Sequence, residues 1–390
     1  MKSSVARRIA KTHKEPYRRR FPFIFSCFRI LILSSLLAAS CGNKPEETWE
    51  PTPYNLEIPK FFPTVLNIPA DNPLTVEGVE LGKALFYDGR LCGYTGSNPD
   101  SLMSCATCHR KENAYDVGMN NPRFPNGVTF GRTGIPTPHN AMPLFNLVFN
   151  HEGYFWNGMI HPSNPNANRR TLEDVVTMGI IAPHEMNSTV EKAVAAIRSV
   201  SYYPAMFEKA FGTKEINIDR IEKAIAQYIR TLVSGNSKFD RYLRGQEQLT
   251  NAELRGYVLF TTEEGADCFH CHGSGGNPQF TTNRFYNNGL DSYFADDRDR
   301  HAFTGDPADI GAYRAPSLRN IAVTAPYMHD GRFKTLDEVL EFYNTGLNNS
   351  AYISPLMHKI NQGGALLTPS QMDDLKAFLM TLTDETMISD

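Results

Sequence analysis

Two packets constrain this chain more than anything else in it. Residues 104–109 read SCATCH and residues 268–272 read CFHCH. In each, two cysteines stand one helical turn apart and a histidine follows at once. Three chemistries compete for such a pattern. A shared zinc ribbon needs two close pairs about 15–20 residues apart, whereas residues 109–267 lie between these. A thioredoxin-type redox pair needs neither the histidine nor a second copy. Covalent haem attachment needs all of it. Each thiol adds to one vinyl group of the porphyrin, the helical spacing matches the two vinyls, and the next residue projects under the iron. The residues therefore predict two covalently bound haem c groups, on Cys105/Cys108 and Cys268/Cys271, with His109 and His272 as proximal iron ligands.

The other cysteines fit an exported chain. Of seven in all, Cys27 and Cys41 fall in the N-terminal region, and only Cys92 is left over; it is expected to be a half-buried thiol with no role. Residues 1–40 hold nine Lys or Arg and one acidic residue, then an apolar stretch, ILILSSLLAA (30–39), too short to span a bilayer. Small residues then lead into Cys41. That pattern predicts a lipoprotein-type signal over 1–40, lipidation of Cys41, and a polar tether over 41–55. The chain is then expected on the periplasmic side of a bacterial membrane, held by a lipid anchor only. Without residues 1–40 the chain carries 30 basic against 41 acidic residues. An acidic body argues against nucleic acid as a partner.

The remainder repeats itself weakly. LGKALFYDGR (81–90) precedes the first packet and RGYVLFTTEE (255–264) the second, each resembling the opening helix of a cytochrome c domain. Each half also ends on a helical apolar period: Ile221, Ala224, Ile225, Tyr228, Ile229 and Leu232 within 218–240, and Met372, Leu375, Phe378, Leu379 and Leu382 within 369–384, with Ser370 as N-cap. The stretches 119–143 and 273–330 are rich in Pro, Gly and Asn and predict loops wrapped around a cofactor. The expected fold is mainly α: two cytochrome c-like haem domains in tandem, 56–238 and 239–390, with long irregular loops.

Taken together, LGKALFYDGRL, SCATCH, FNLVFN…YFWNG, APHEM, LVSGNSKFDRY, CFHCH, the run from Gly311 to Val339 and EFYNTG resemble the bacterial diheme cytochrome c peroxidases and their MauG-like diheme oxidase relatives, in family order over nearly all of 75–384. The resemblance implies a peroxidatic N-terminal haem and an electron-transfer C-terminal haem. Hydrogen peroxide would be the substrate and a small protein such as cytochrome c the electron donor. Glu185 would be the distal acid-base, moving a proton between the two peroxide oxygens. Trp156 would lie between the haems and couple them, with His329 near it. A calcium ion would take Asn140 and the carbonyls of Thr324 and Pro326. Members of the family are often homodimers.

The sequence departs from the peroxidase pattern in three places. Tyr343 stands where peroxidases usually place the methionine that ligates the second iron, as in MauG-like members; Met328 and Met357 are the fallback ligands. Val175 and Gly179 replace a glutamine and a proline over the first haem, predicting a less polar and less constrained distal pocket. No histidine matches the one that caps the resting first haem, so that haem is expected to be high-spin without prior reduction. Three functions follow in order: a peroxidase, a MauG-like oxidase acting on a protein or organic molecule through high-valent haem, and a diheme electron carrier.

Overall fold

A computed structural model describes residues 49–98, 101–161, 170–273, 276–294 and 299–389. The signal, Cys27 and Cys41 lie outside the described residues. The first helix, α1 (Val76–Tyr87), starts at Thr75, whose hydroxyl accepts from the Gly78 amide. The haem-packet helix α2 (Cys105–Cys108) follows, then α3 (Leu172–Ile181), α4 (Val190–Arg198), α5 (Tyr203–Phe211) and α6 (Ile218–Arg230). After α7 (Lys238–Leu243) come α8 (Asn251–Thr261) and the second packet helix α9 (Phe269–His272). The chain ends with the short α10 (His301–Thr304), α11 (Leu336–Thr345), α12 (Pro369–Met380) and α13 (Glu385–Ile388). Among the described residues, sheet is confined to a two-residue antiparallel ladder, β1 (Phe285–Tyr286) with β2 (Tyr313–Arg314). The molecule is mainly helical.

The weak sequence repeat has a physical counterpart. α1 crosses α6 at Gly82, and α8 crosses α12 at Gly256. A Cβ at Gly82 would lie 1.9 Å from the Ala224 carbonyl oxygen, and one at Gly256 would lie 1.9 Å from the Asp374 carbonyl oxygen. Backbones this close admit only glycine. Four residues on, Phe86 and Phe260 are fully buried beside the crossing, where they pack on Tyr228 and Phe378 with ring centroids 5.2 and 5.3 Å apart. Each half thus presents its haem packet just after a glycine-mediated helix crossing. Leu81, Leu85, Phe86, Ile221, Ile225 and Tyr228 centre one apolar cluster; Phe239, Phe260, Phe280 and Phe378 centre another. The residues from Trp49 onward form one compact unit.

Two buried arginines tie one helix to another and a loop to a helix. Arg230 on α6 bonds Glu173 on α3 at 2.6 and 3.0 Å, and Arg319 bonds Asp240 on α7 at 2.8 and 2.5 Å. Bidentate geometry satisfies both partners, and removing one would leave a buried charge alone.

Four expectations are corrected. The helix expected over 218–240 stops at Arg230 and restarts at Lys238. Between them the chain turns so that Asn146 Oδ1 accepts from the Ser234 amide and Asp384 Oδ2 from those of Gly235 and Asn236, at 2.8–2.9 Å. The tertiary acceptors outcompete helix continuation. The last long helix is capped by Thr368, not Ser370: its hydroxyl accepts from the Gln371 amide, while Gln371 reaches back to the Thr368 amide. Cys92 is buried, its thiol donating to the Gly89 carbonyl at 3.1 Å. The end of the expected tether is fastened to the body: the Trp49 indole donates to the Lys209 carbonyl, and the Thr52 amide to Glu77.

Candidate functional site

The first packet sits on α2. Ser104 and Thr107 form a capping box at its start, and the Asn121 amide bonds the Thr107 carbonyl. His109 closes the helix. Its Nδ1 lies 2.9 Å from the Tyr115 carbonyl oxygen. A carbonyl can only accept, so Nδ1 carries the proton and Nε2 presents its lone pair. The second packet repeats this on α9: His272 Nδ1 donates to the Pro316 carbonyl at 3.1 Å. Burial lowers both histidines' pKa, that of His272 to about 4. Both rings are held neutral and ready to ligate. None of the four packet cysteines is paired in a disulfide.

Glu185 lies in the turn after α3. The turn is pinned by Arg132, whose amide donates to the Glu185 carbonyl at 2.8 Å and whose guanidinium donates to the carbonyls of Met186 and Asn187. Burial pushes the Glu185 carboxyl up to about 7. It stands close enough to the first packet to add its charge to the effect of burial on both thiols, Cys105 being raised to about 12. Gly179 has a use that the sequence did not suggest. A Cβ there would lie 3.0 Å from Glu185 Oε2, so the carboxylate occupies the room that a side chain would take. The glycine houses the acid. Val175 is half-buried against the first apolar cluster.

A single cavity brings together Cys268, Cys271, His272, Tyr343, Trp156 and His329. Tyr343 is half-buried, and Asn288 Nδ2 donates to its hydroxyl at 2.9 Å. Burial raises the phenol's pKa above its ordinary range, and the Asn288 bond opposes that rise. Met328 and Met357 line the same cavity, so geometry admits all three candidate ligands. The Trp156 indole donates to the Asn140 carbonyl at 2.9 Å, and its own carbonyl accepts from the Arg314 amide. His329 stacks on Tyr313 with ring centroids 3.6 Å apart, and burial lowers its pKa to about 4. At neutral pH it is an uncharged aromatic surface.

The residues fit two haem c groups on observations beyond the packets. Arg314 is 5% exposed, and among the described residues its guanidinium donates to neutral oxygens: the carbonyls of Phe155 and Gly153 and the Asn283 side-chain carbonyl. Burial lowers its pKa to about 10. It lines the second cavity, where the propionates that haem carries would supply the missing anion. The residues expected to hold calcium are also together. Asn140 Nδ2 lies 2.6 Å from the Pro326 carbonyl oxygen, and Thr324 and the buried Asp116 line the same cavity. Burial holds the Asp116 carboxyl well above its usual range, which a cation beside it would reverse. To ligate an ion, the Asn140 amide must turn its oxygen towards it. Arg314 stood in the Gly311–Val339 run and was open to notice; Asn288 and Asp116 carried no sequence signal.

Two packets with carbonyl-fixed histidines, one near a half-buried carboxyl and the other sharing a cavity with a tyrosine, define a protein built to hold two c-type haems. Residues 76–248 match the family described as di-haem cytochrome c peroxidase. The chain is 34% identical over 319 residues to the methylamine utilization protein MauG of Methylorubrum extorquens, covering 81% of each. It is 34% identical over 278 residues to cytochrome c551 peroxidase of Nitrosomonas europaea, covering 70% of this chain and 75% of that one. A solved MauG-like protein associated with microbial copper homeostasis superimposes with a TM-score of 0.72 at 37% identity, over 86% of this chain and 97% of that one. The chain belongs to the di-haem cytochrome c peroxidase and MauG family of oxidoreductases.

Proposed function

We propose that this chain is a peroxidase, reducing hydrogen peroxide to two waters with two electrons and two protons. The carrying observation is Glu185: a half-buried residue beside the first packet whose carboxyl is desolvated, with its pKa pushed up to about 7. When bound, haem at His109 supplies the centre where peroxide is taken up and reduced. Glu185 does the proton work. Its carboxylate takes the proton from one peroxide oxygen and returns it to the departing oxygen, ending as it began. Arg132 and Gly179 hold that carboxylate in place. Trp156, fixed by Asn140 and Arg314, supplies an aromatic surface along the route from the donor side, near Cys268/Cys271, to Cys105/Cys108. Calcium at Asn140, Thr324 and Pro326 would brace that crossing.

The same reading takes 56–238 and 239–390 as the two haem domains, and the helix crossings at Gly82 and Gly256 support the division. It takes the chain as exported, lipidated at Cys41 on the periplasmic side, and paired as a homodimer. The donor is a small redox protein such as cytochrome c.

Steady-state peroxide reduction with reduced cytochrome c tests the proposal. Glu185→Gln should lower turnover by about 10²–10⁴-fold. No turnover by the wild type, whether oxidised or pre-reduced at the start, would overturn it. A tenfold gain on pre-reduction would overturn the expectation that the first haem is ready at rest.

Tyr343 favours a second reading, a MauG-like oxidase of a protein or organic substrate. A phenolate ligand supports higher iron oxidation states than a methionine sulfur does. Asn288 is placed to stabilise that phenolate. Tyr343→Met, followed by optical and EPR spectra, separates the readings: an unchanged second-haem spectrum would remove Tyr343 as ligand.

A further inference from the structure

A second metal-binding arrangement stands beside the second packet. Asp267, immediately before Cys268, is nearly fully buried, with its side chain 4% exposed. Its two carboxylate oxygens face two histidines: Oδ1 lies 2.6 Å from His270 Nδ1 and Oδ2 lies 3.2 Å from His358 Nδ1. The first contact is a hydrogen bond, and since a carboxylate accepts, the His270 ring donates from Nδ1 and turns Nε2 away from Asp267. The rings meet edge to face with centroids 4.8 Å apart. His270 Nε2 lies 3.7 Å from a Glu263 carboxylate oxygen. One ligand atom from each of Glu263, His270 and His358 falls within 4.8 Å of the other two.

We propose that Glu263, His270 and His358 form a binding site for a borderline divalent transition ion, Zn2+ or Cu2+. Imidazole and carboxylate donors suit these ions. Tetrahedral Zn2+ at about 2.0–2.1 Å from each ligand sets them about 3.3 Å apart. His270 and Glu263 are already near that separation, and Glu263 is an exposed side chain free to close the rest. Asp267 supplies what bare surface histidines lack: a buried carboxylate that hydrogen-bonds the His270 ring and lies 3.2 Å from His358 Nδ1, as outer-shell carboxylates do at metal-bound histidines. The fourth position is open to water. Asp267 and His358 also line the second cavity, so a bound ion ties the turn after α8, the packet helix α9 and the 346–364 loop together at that cavity's rim. His270 occupies a variable position of its packet, so haem attachment does not require it.

The test uses the di-haem protein without a histidine tag, treated with EDTA and returned to calcium buffer. Zn2+ is titrated by calorimetry, and one equivalent of Cu2+ is examined by EPR. The expected result is one Zn2+ per chain with micromolar or tighter affinity, and copper hyperfine structure from two nitrogens. His358→Gln and His270→Gln should each weaken Zn2+ at least tenfold and leave one nitrogen on copper. Asp267→Asn should weaken it about 10–100-fold. A haem count of two per chain checks the folding of each variant. If His270→Gln loses haem, His358→Gln and Glu263→Gln, both outside the packet, decide the matter. No saturation at one equivalent, or equal affinity in the His270→Gln/His358→Gln double variant, overturns the proposal.

Discussion

Glu185 joins function and stability in one side chain. Its folded pKa, about 7, lies above the ordinary carboxyl value. The folded state therefore holds this proton more tightly than the unfolded state does. Its contribution to stability is favourable at low pH and is lost as pH rises from the unfolded value through about 7. Two outcomes follow. Peroxide turnover should rise with pH through an apparent pKa near 7, and Glu185→Gln should abolish that inflection along with the activity. The same variant should be more stable than wild type at pH 8, by on the order of 1–3 kcal/mol, and no more stable at pH 5; denaturant melts of the di-haem protein at the two pH values check this. Gly179→Ala makes the converse case. Its methyl group would crowd Oε2 at 3.0 Å, so turnover should fall while both haems stay attached.

Among the elements, the two glycine crossings matter most. A methyl group at Gly256 cannot stand 1.9 Å from the Asp374 carbonyl, so α8 must move off α12 and open the cluster around Phe260 and Phe378. Gly256→Ala should destabilise by about 1–3 kcal/mol, as overpacking does, and Gly82→Ala should match it. The check is a denaturant melt of each variant; a helix-propensity gain with no loss of stability would show that the crossings are looser than their geometry. The helix starts are reinforced locally: Thr171 with Asp174, Thr250 with Glu253, Thr335 with Glu338 and Thr368 with Gln371 all form capping boxes. Each satisfies orphan amides at both ends of the box.

Across the whole molecule, Asn140 is the junction. Its amide N–H donates to the His329 carbonyl at 2.6 Å, its side chain to the Pro326 carbonyl, and its own carbonyl accepts from Trp156. One residue thus links the first half to the 326–329 turn and to the tryptophan of the crossing. Chelation of calcium should slow peroxide turnover reversibly, and Asn140→Ala should slow it without response to added calcium. Turnover in wild type that is indifferent to chelator and to calcium would remove the ion from this site. Among the described residues no helix is long and apolar enough to cross a membrane.

The sequence by itself determined the covalent chemistry. Cys105/Cys108/His109 and Cys268/Cys271/His272 are local patterns whose spacing is read within one helical turn, and the helical periods around Ile221 and Leu375 are local in the same sense. Resemblance then drew attention to Glu185, Trp156, His329, Tyr343 and Asn140, and the fold places them around the packets. What the sequence left open depends on distant partners. The helix expected through 240 ends at Arg230 because Asn146 and Asp384, far away in the chain, take the backbone amides of residues 234–236. Gly179 reads as a loosened pocket until the Glu185 carboxylate is found in its space. Asn288 and Asp116 carry no motif, and Arg314 stands in one without a stated role; their meaning comes from burial and from the groups they face. Only the tertiary structure sets Asp267 between His270 and His358, because a buried carboxylate acts through what folding brings to its two oxygens.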